Sequence, residues 1–269
     1  MKQIDFESWA ELEAYTHKLE ANRLEHANQT IGHVSYLLFR GQGDASWSLN
    51  TTLQRASDRE WALADYYRLA ALAKTQIETF TERRWDEIDF PKMREWFSNY
   101  DNLRTGLPAY DYLVFLRHHG FPSPLLDWSR SLYIAAFFAY KKLSSERVAI
   151  YVYQEYTGGG KLSSSNTPQI HALGPNVRSH PRHFLQQSEY TVAARFIEGS
   201  WQLVKFDSFF EVSDDTQDKL LKLTAPASDR IDVLKQLDTY NLNEFSLFQT
   251  EEALLSTIAI RELLLKKTS

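Results

Sequence analysis

The stretch "LLFRGQGDASWSLNTTLQR", residues 37–55, constrains this chain more than any other. An apolar run stops on Arg40, Gly41 and Gly43 follow within three residues, and Trp47 comes next. "HVSYLLFRG" predicts a strand ended by the glycines. An arginine closing a buried strand needs an anion. Beside two glycines it can hold out a bidentate fork while the backbone comes close to a phosphate or carboxylate ligand. The other use for it is an ion pair with an acid of the chain itself, such as Asp127.

A core of ordinary size is available. Hydrophobic residues make up 43% of 269, which predicts one large domain or a domain with helical additions. Aromatic residues, at 14%, argue against disorder. Cysteine is absent, which excludes disulfides, thiolate catalysis and cysteine-ligated zinc. The formal net charge of -5 gives no global attraction to nucleic acid, although a local basic face stays open. No apolar run is long enough to span a membrane, and "MKQIDFESWAELEAY" lacks the apolar centre of a secretory signal. These features predict a cytoplasmic protein with no membrane partner.

Along the chain, Ser8 with Glu11 has capping-box spacing and predicts a helix from Trp9 to about Ala27. Ser57 with Glu60 repeats the spacing and predicts a helix to about Phe80, with Pro91 breaking the charged, aromatic tract that follows. Residues 57–107 read as a helical insertion. "AYDYLVFLRHHG" predicts a helix stopped at Gly120, "LYIAAFFAYKKL" a strongly apolar helix, and "VAIYVYQE" and "KLLKLTAP" strands. "YTGGGKLSSSNTP" reads as a flexible loop; its GGGK lacks the leading glycine of a phosphate loop. The strand-like tail of "RHFLQQSEYTVAARF", a helix capped by Ser228 and a last helix from Glu251 to Leu265 complete the pattern. Strands mixed with helices at no steady βαβ spacing predict an α+β fold. Its core would be a mixed, largely antiparallel sheet flanked by helices.

Two further clusters bear chemistry. In "HHGFPSPLLDWS", His118 and His119 point about 100° apart on a helix, which disfavours a two-histidine metal face. Asp127, Trp128 and Ser129 put polar atoms and a ring at the mouth of an apolar element, either as a wall for a flat ligand or as core packing. In "SHPRHFLQQSEYTV", Arg182, Gln186, Gln187 and Glu189 precede a strand, and Gln187 and Glu189 would face one side if the backbone is extended. A carboxylate so placed can hold a ribose hydroxyl or stabilise charge at an anomeric carbon; a solvent-facing pair on an edge strand is the alternative. His171, His180 and His183 have no acidic ligands in step, and no metal site is expected.

Taken together, the three clusters resemble the FRG-domain family, named for a Phe-Arg-Gly that stands here at Phe39, Arg40 and Gly41. Gln42, Trp47, Leu49 and Arg55 match the continuation of its first motif. His119, Gly120 and Pro122, then Leu125 to Ser129, then Ala135, Phe138 and Ala139 match the second. Arg182, Gln186, Tyr190 and Thr191 match the third. The likeness runs from about residue 33 to the C-terminus, which divides the chain into a helical segment 1–32 and the domain 33–269. Arg117 stands where the family usually has glutamine, Pro124 where it has arginine and Ser188 where it has glycine.

The order of these elements is also similar to the layout of ADP-ribosyltransferases. That similarity implies NAD as substrate, with Arg40, Gly41, Gln42, His119, Asp127, Trp128, Ser129 and Arg182 on the dinucleotide and Glu189 or Gln186 at the ribose. It implies transfer of ADP-ribose to a macromolecular acceptor or to water, in a bacterial toxin or phage-defence setting. The alternatives are a non-catalytic module that senses a nucleotide or nucleic-acid end, and a scaffold whose helices at 57–107 dock a protein partner.

Overall fold

A computed structural model describes residues 1–159, 161, 164–178, 180–206 and 218–266. Its eight strands are β1 (Lys2–Asp5), β2 (Leu38–Gln42), β3 (Leu126–Ser129), β4 (Arg147–Gln154), β5 (Gln169–Ala172), β6 (Ser188–Ile197), β7 (Ser200–Leu203) and β8 (Lys219–Pro226). They form one sheet in the order β1-β8-β4-β2-β3-β6-β5, with β7 added to β6. Every pairing is antiparallel except β1 with β8. The fold is α+β, as the sequence predicts.

The helices are α1 (Trp9–Gln29), α2 (Thr52–Ala56), α3 (Leu63–Thr81), α4 (Phe90–Ser98), α5 (Tyr110–His118), α6 (Leu132–Lys141), α7 (Arg182–Leu185), α8 (Arg230–Thr239), α9 (Glu244–Phe248) and α10 (Glu251–Ala259). A π-helical turn, Ile260–Leu265, continues α10. Cross-strand partners share a face of the sheet. Phe39, Val152, Ile150 and Leu223 therefore lie on one face, where α1, α6 and α8 bury them. Farther along the same face, Tyr190, Val192 and Ala194 pack against α3, α4 and α5. The opposite face carries a smaller core of Leu38, Trp128, Tyr151, Tyr153 and Ala193 under Leu49 and Phe206.

Several local expectations change. Ser57 does not open a helix; it closes α2, whose capping box is Thr51 with Gln54. α3 starts at Leu63 without a side-chain cap. Pro91 does not break a helix but sits in the first turn of α4, where its missing N–H costs nothing. Asp229, not Ser228, precedes α8. Gly120, at φ +84°, follows the cap residue of α5 as expected. Of the loop predicted at 156–168, Gly160, Leu162 and Ser163 lie outside the described residues.

Two glycines fix the seat of α6. A Cβ on Gly41 would stand 1.9 Å from the Ala135 carbonyl oxygen, and one on Gly43 would stand 2.1 Å from that of Lys142. These glycines let α6 lie directly on the end of β2. Gly41 and Gly43, expected from the sequence to let the backbone approach a ligand, make room for the helix backbone instead.

Candidate functional site

β2 pairs with β4 along its whole length but touches β3 only at Phe39 and Ser129. Past that pair the two strands separate, leaving the Arg40–Gln42 edge of β2 and the Leu126–Trp128 edge of β3 without a common ladder. The split opens between α6 on one side and α5 on the other. A cleft of about 1030 Å³ fills it, lined by Arg40, Gly41, Gln42, Asp127, Trp128, Ser129 and Gln186 among others. Seven of the ten residues singled out in the sequence meet here.

Arg40 is the centre of the cleft's electrostatics. Its Nη1 donates to the main-chain oxygen of Asp127 at 2.7 Å, and its Nε is buried without a partner among the described residues. The Asp127 carboxylate is taken elsewhere: Arg117 on α5 grips it with Nε to Oδ1 at 2.5 Å and Nη2 to Oδ2 at 2.8 Å. The suggested Arg40–Asp127 ion pair is therefore replaced by a main-chain hydrogen bond. Arg55 also lines the cleft and spends Nη1 on the main-chain oxygen of Asn50. Among the described residues neither Arg40 nor Arg55 pairs with a carboxylate. Desolvation, opposed by Asp127 and reinforced by Arg117 and Arg55, pushes the Arg40 guanidinium down to about 10. Burial and Arg117 likewise lower Arg55. Three guanidiniums thus share one carboxylate, a surplus that an anion would relieve.

The polar neighbours are mostly committed to structure. The Ser129 hydroxyl donates to the main-chain oxygen of Gln186 at 2.8 Å and accepts from the Ser131 amide, which fastens β3 to the approach of β6. Trp128 is buried, its Nε1 donating to Thr191 Oγ1 at 2.8 Å, with one side still on the cleft. Gln186 reaches the main-chain oxygen of Leu247. Gln42 donates to the main-chain oxygen of Ser48, and its Oε1 is buried without a donor among the described residues.

Three expected site residues lie off the cleft. His119 is exposed at the end of α5, stacked on Phe115 with ring centroids 3.9 Å apart. Arg182 lies over the Phe248 ring. Glu189 pairs across β3 with Trp128, but its buried carboxylate is held by Arg130, whose Nε donates at 2.7 Å. Burial pushes that carboxyl above its ordinary value against the pull of Arg130. Gln187 does not share a face with Glu189 as part of a strand: it sits at φ +46°, in the left-handed region, and β6 begins at Ser188.

Motif matching passes over Arg117, which stands where the family pattern has glutamine. Its signal is a cation that directly follows a wholly buried helical run, Tyr112–Leu116.

Residues 35–147 match the family model described as the FRG domain. The chain contains a segment similar to the FRG domain. The match contains β2, β3, α5 and α6, and with them Arg40, Arg55, Arg117 and Asp127. No curated protein and no solved structure matches the chain. Among the described residues no helix is long and apolar enough to cross a membrane, and no group of three or more His, Cys, Asp or Glu could hold a metal ion.

Proposed function

We propose that this protein binds a phosphate-bearing nucleotide in the β2–β3 cleft, with a dinucleotide such as NAD as the candidate ligand. One observation carries the reading: among the described residues Arg40 and Arg55 face a cleft of about 1030 Å³ without a carboxylate partner, while Arg117 neutralises Asp127. Guanidiniums suit phosphate because their planar fork donates two parallel hydrogen bonds. The volume is large enough for a dinucleotide.

Cleavage of NAD is the second reading. It is supported by the way Arg40, Trp128, Ser129 and Gln186, drawn from three separated motifs, meet at one cleft. The C1′–nicotinamide bond would break with its electron pair leaving on nicotinamide, and a nucleophile on an acceptor or water would take C1′. That chemistry needs a carboxylate near the ribose. Glu189 can supply it only after leaving Arg130, so binding without turnover is the reading the geometry favours. A toxin or phage-defence role belongs with the turnover reading.

Titration with NAD and ADP-ribose, run beside an assay of nicotinamide release with and without cell lysate, tests both readings. Binding without release supports a sensing module, release makes the protein a transferase or glycohydrolase, and absence of both contradicts the proposal.

A further inference from the structure

Six of the seven tryptophans have an evident structural partner. Trp9, Trp85, Trp96, Trp128 and Trp201 each pack against an aromatic ring, and Trp61 lies beneath the Arg59 guanidinium. Among the described residues Trp47 has neither kind of partner; it is 49% exposed and lines the cleft. An indole is costly to leave in water without a purpose, because it carries the largest apolar surface of any side chain.

The mount of this ring is fixed. The Trp47 amide donates to the Asp44 oxygen at 3.3 Å, and the Trp47 oxygen accepts from the Tyr151 hydroxyl at 3.0 Å. On the following residues, Gln42 Nε2 donates to Ser48 O and Arg55 Nη1 to Asn50 O. Leu49 is fully buried between them. The first motif is therefore a cradle: Gln42, Leu49 and Arg55 hold a short loop that presents the Trp47 indole beside the cationic wall.

We infer that Trp47 is a stacking platform for the base of the ligand, so that the cleft selects nucleotides over other phosphate esters. A flat ring on Trp47 and a phosphate group on Arg40 and Arg55 are the two halves of a nucleotide. The inference rests on the proposed nucleotide site and deepens it. Stacking on one ring face tolerates any base, so the selection expected is for a base being present, not for its identity.

The test compares the purified full chain with Trp47→Ala and Trp47→Phe, after urea midpoints confirm that the variants fold. Each is titrated with ADP-ribose, ADP, ribose 5-phosphate and pyrophosphate. The wild type is expected to hold ADP-ribose and ADP about tenfold or more tighter than ribose 5-phosphate. Trp47→Ala should erase that preference, leave pyrophosphate affinity within about twofold, and be largely rescued in Trp47→Phe. Equal affinity of the wild type for ribose 5-phosphate and ADP-ribose would overturn the platform while leaving the anion site standing. So would a loss in Trp47→Ala that is the same for all four probes. If the wild type binds none of the four, the nucleotide site itself fails and the platform with it.

Discussion

Arg117 and Asp127 form a two-pronged ion pair, Nε to Oδ1 at 2.5 Å and Nη2 to Oδ2 at 2.8 Å, across the mouth of the β2–β3 split. The pair takes the Asp127 carboxylate away from Arg40, so Arg117 on α5 is what leaves Arg40 on β2 free for a ligand.

Arg117→Leu should therefore weaken phosphate binding without touching Arg40. The released Asp127 carboxylate would turn toward Arg40 and compete with the ligand. The two side chains are 14% and 33% exposed, so the stability cost is modest, roughly 1–3 kcal/mol. Urea denaturation and nucleotide titration check the two effects. The double variant Arg117→Leu with Asp127→Asn should recover part of the affinity, and failure to recover would mean that Arg117 itself holds the ligand.

Gly41→Ala should be one of the most damaging single-methyl changes in the chain. The new Cβ would meet the Ala135 carbonyl oxygen at 1.9 Å, and that oxygen belongs to helix backbone, which cannot step aside. A loss of about 3 kcal/mol is expected, read as a lower urea midpoint at unchanged slope. Gly120→Ala has open space around it and only its positive φ to oppose it, so it should cost less, about 1 kcal/mol.

Stability should fall as pH drops below neutrality. His118, half-buried and hydrogen-bonded to the Tyr190 hydroxyl, is pushed down from 6.5 to about 4, chiefly by desolvation. Its folded value lies below its unfolded value, so the unfolded chain takes up a proton first and stability is lost between pH 6.5 and about 4. His183, on the same hydroxyl, shifts in the same direction. Asp127 is held below its ordinary 3.8, so its contribution is present above that value and lost as pH falls through the lower folded one. His118→Gln should flatten the profile between pH 6.5 and 4; an unchanged slope would place the acid sensitivity elsewhere.

Glu189→Gln separates the two functional readings. Its carboxylate is paired with Arg130 and lies off the cleft, so nucleotide affinity should change by less than about twofold, well under one hydrogen bond's worth of free energy. If NAD is cleaved, the same variant should abolish nicotinamide release. A tenfold loss of affinity would show that Glu189 contacts the ligand directly.

Much of this architecture was legible because local patterns and tertiary contacts agree. The apolar helix at 132–141 and the strand at 147–154 are buried along nearly their full length, and both were readable from composition alone. β1 was not, since its pairing with β8 joins opposite ends of the chain and its four residues are mostly exposed. β5 and β7 are short strands at the far side of the sheet with too few residues for a period. Ser57 and Glu60 had the right spacing for a cap, but the stronger box at Thr51 and Gln54 had already closed its helix at that point. In the site, the motif residues nearest the split converged. Glu189 escaped because a single arginine, Arg130, claims it, and ion-pair choice is not written in spacing.

The central claim is an anion site built on Arg40. Calorimetric titration of ADP-ribose into the wild type and into Arg40→Met, with urea midpoints measured for both, tests it most directly. The account predicts that the wild type binds and that Arg40→Met loses about a hundredfold or more in affinity, as expected when a charged hydrogen-bonding partner is removed. It also predicts an unchanged or raised urea midpoint, because the variant removes a desolvated cation that has no carboxylate partner among the described residues. Equal affinity in the two proteins, or a variant that unfolds, would contradict it and make Arg40 a structural residue.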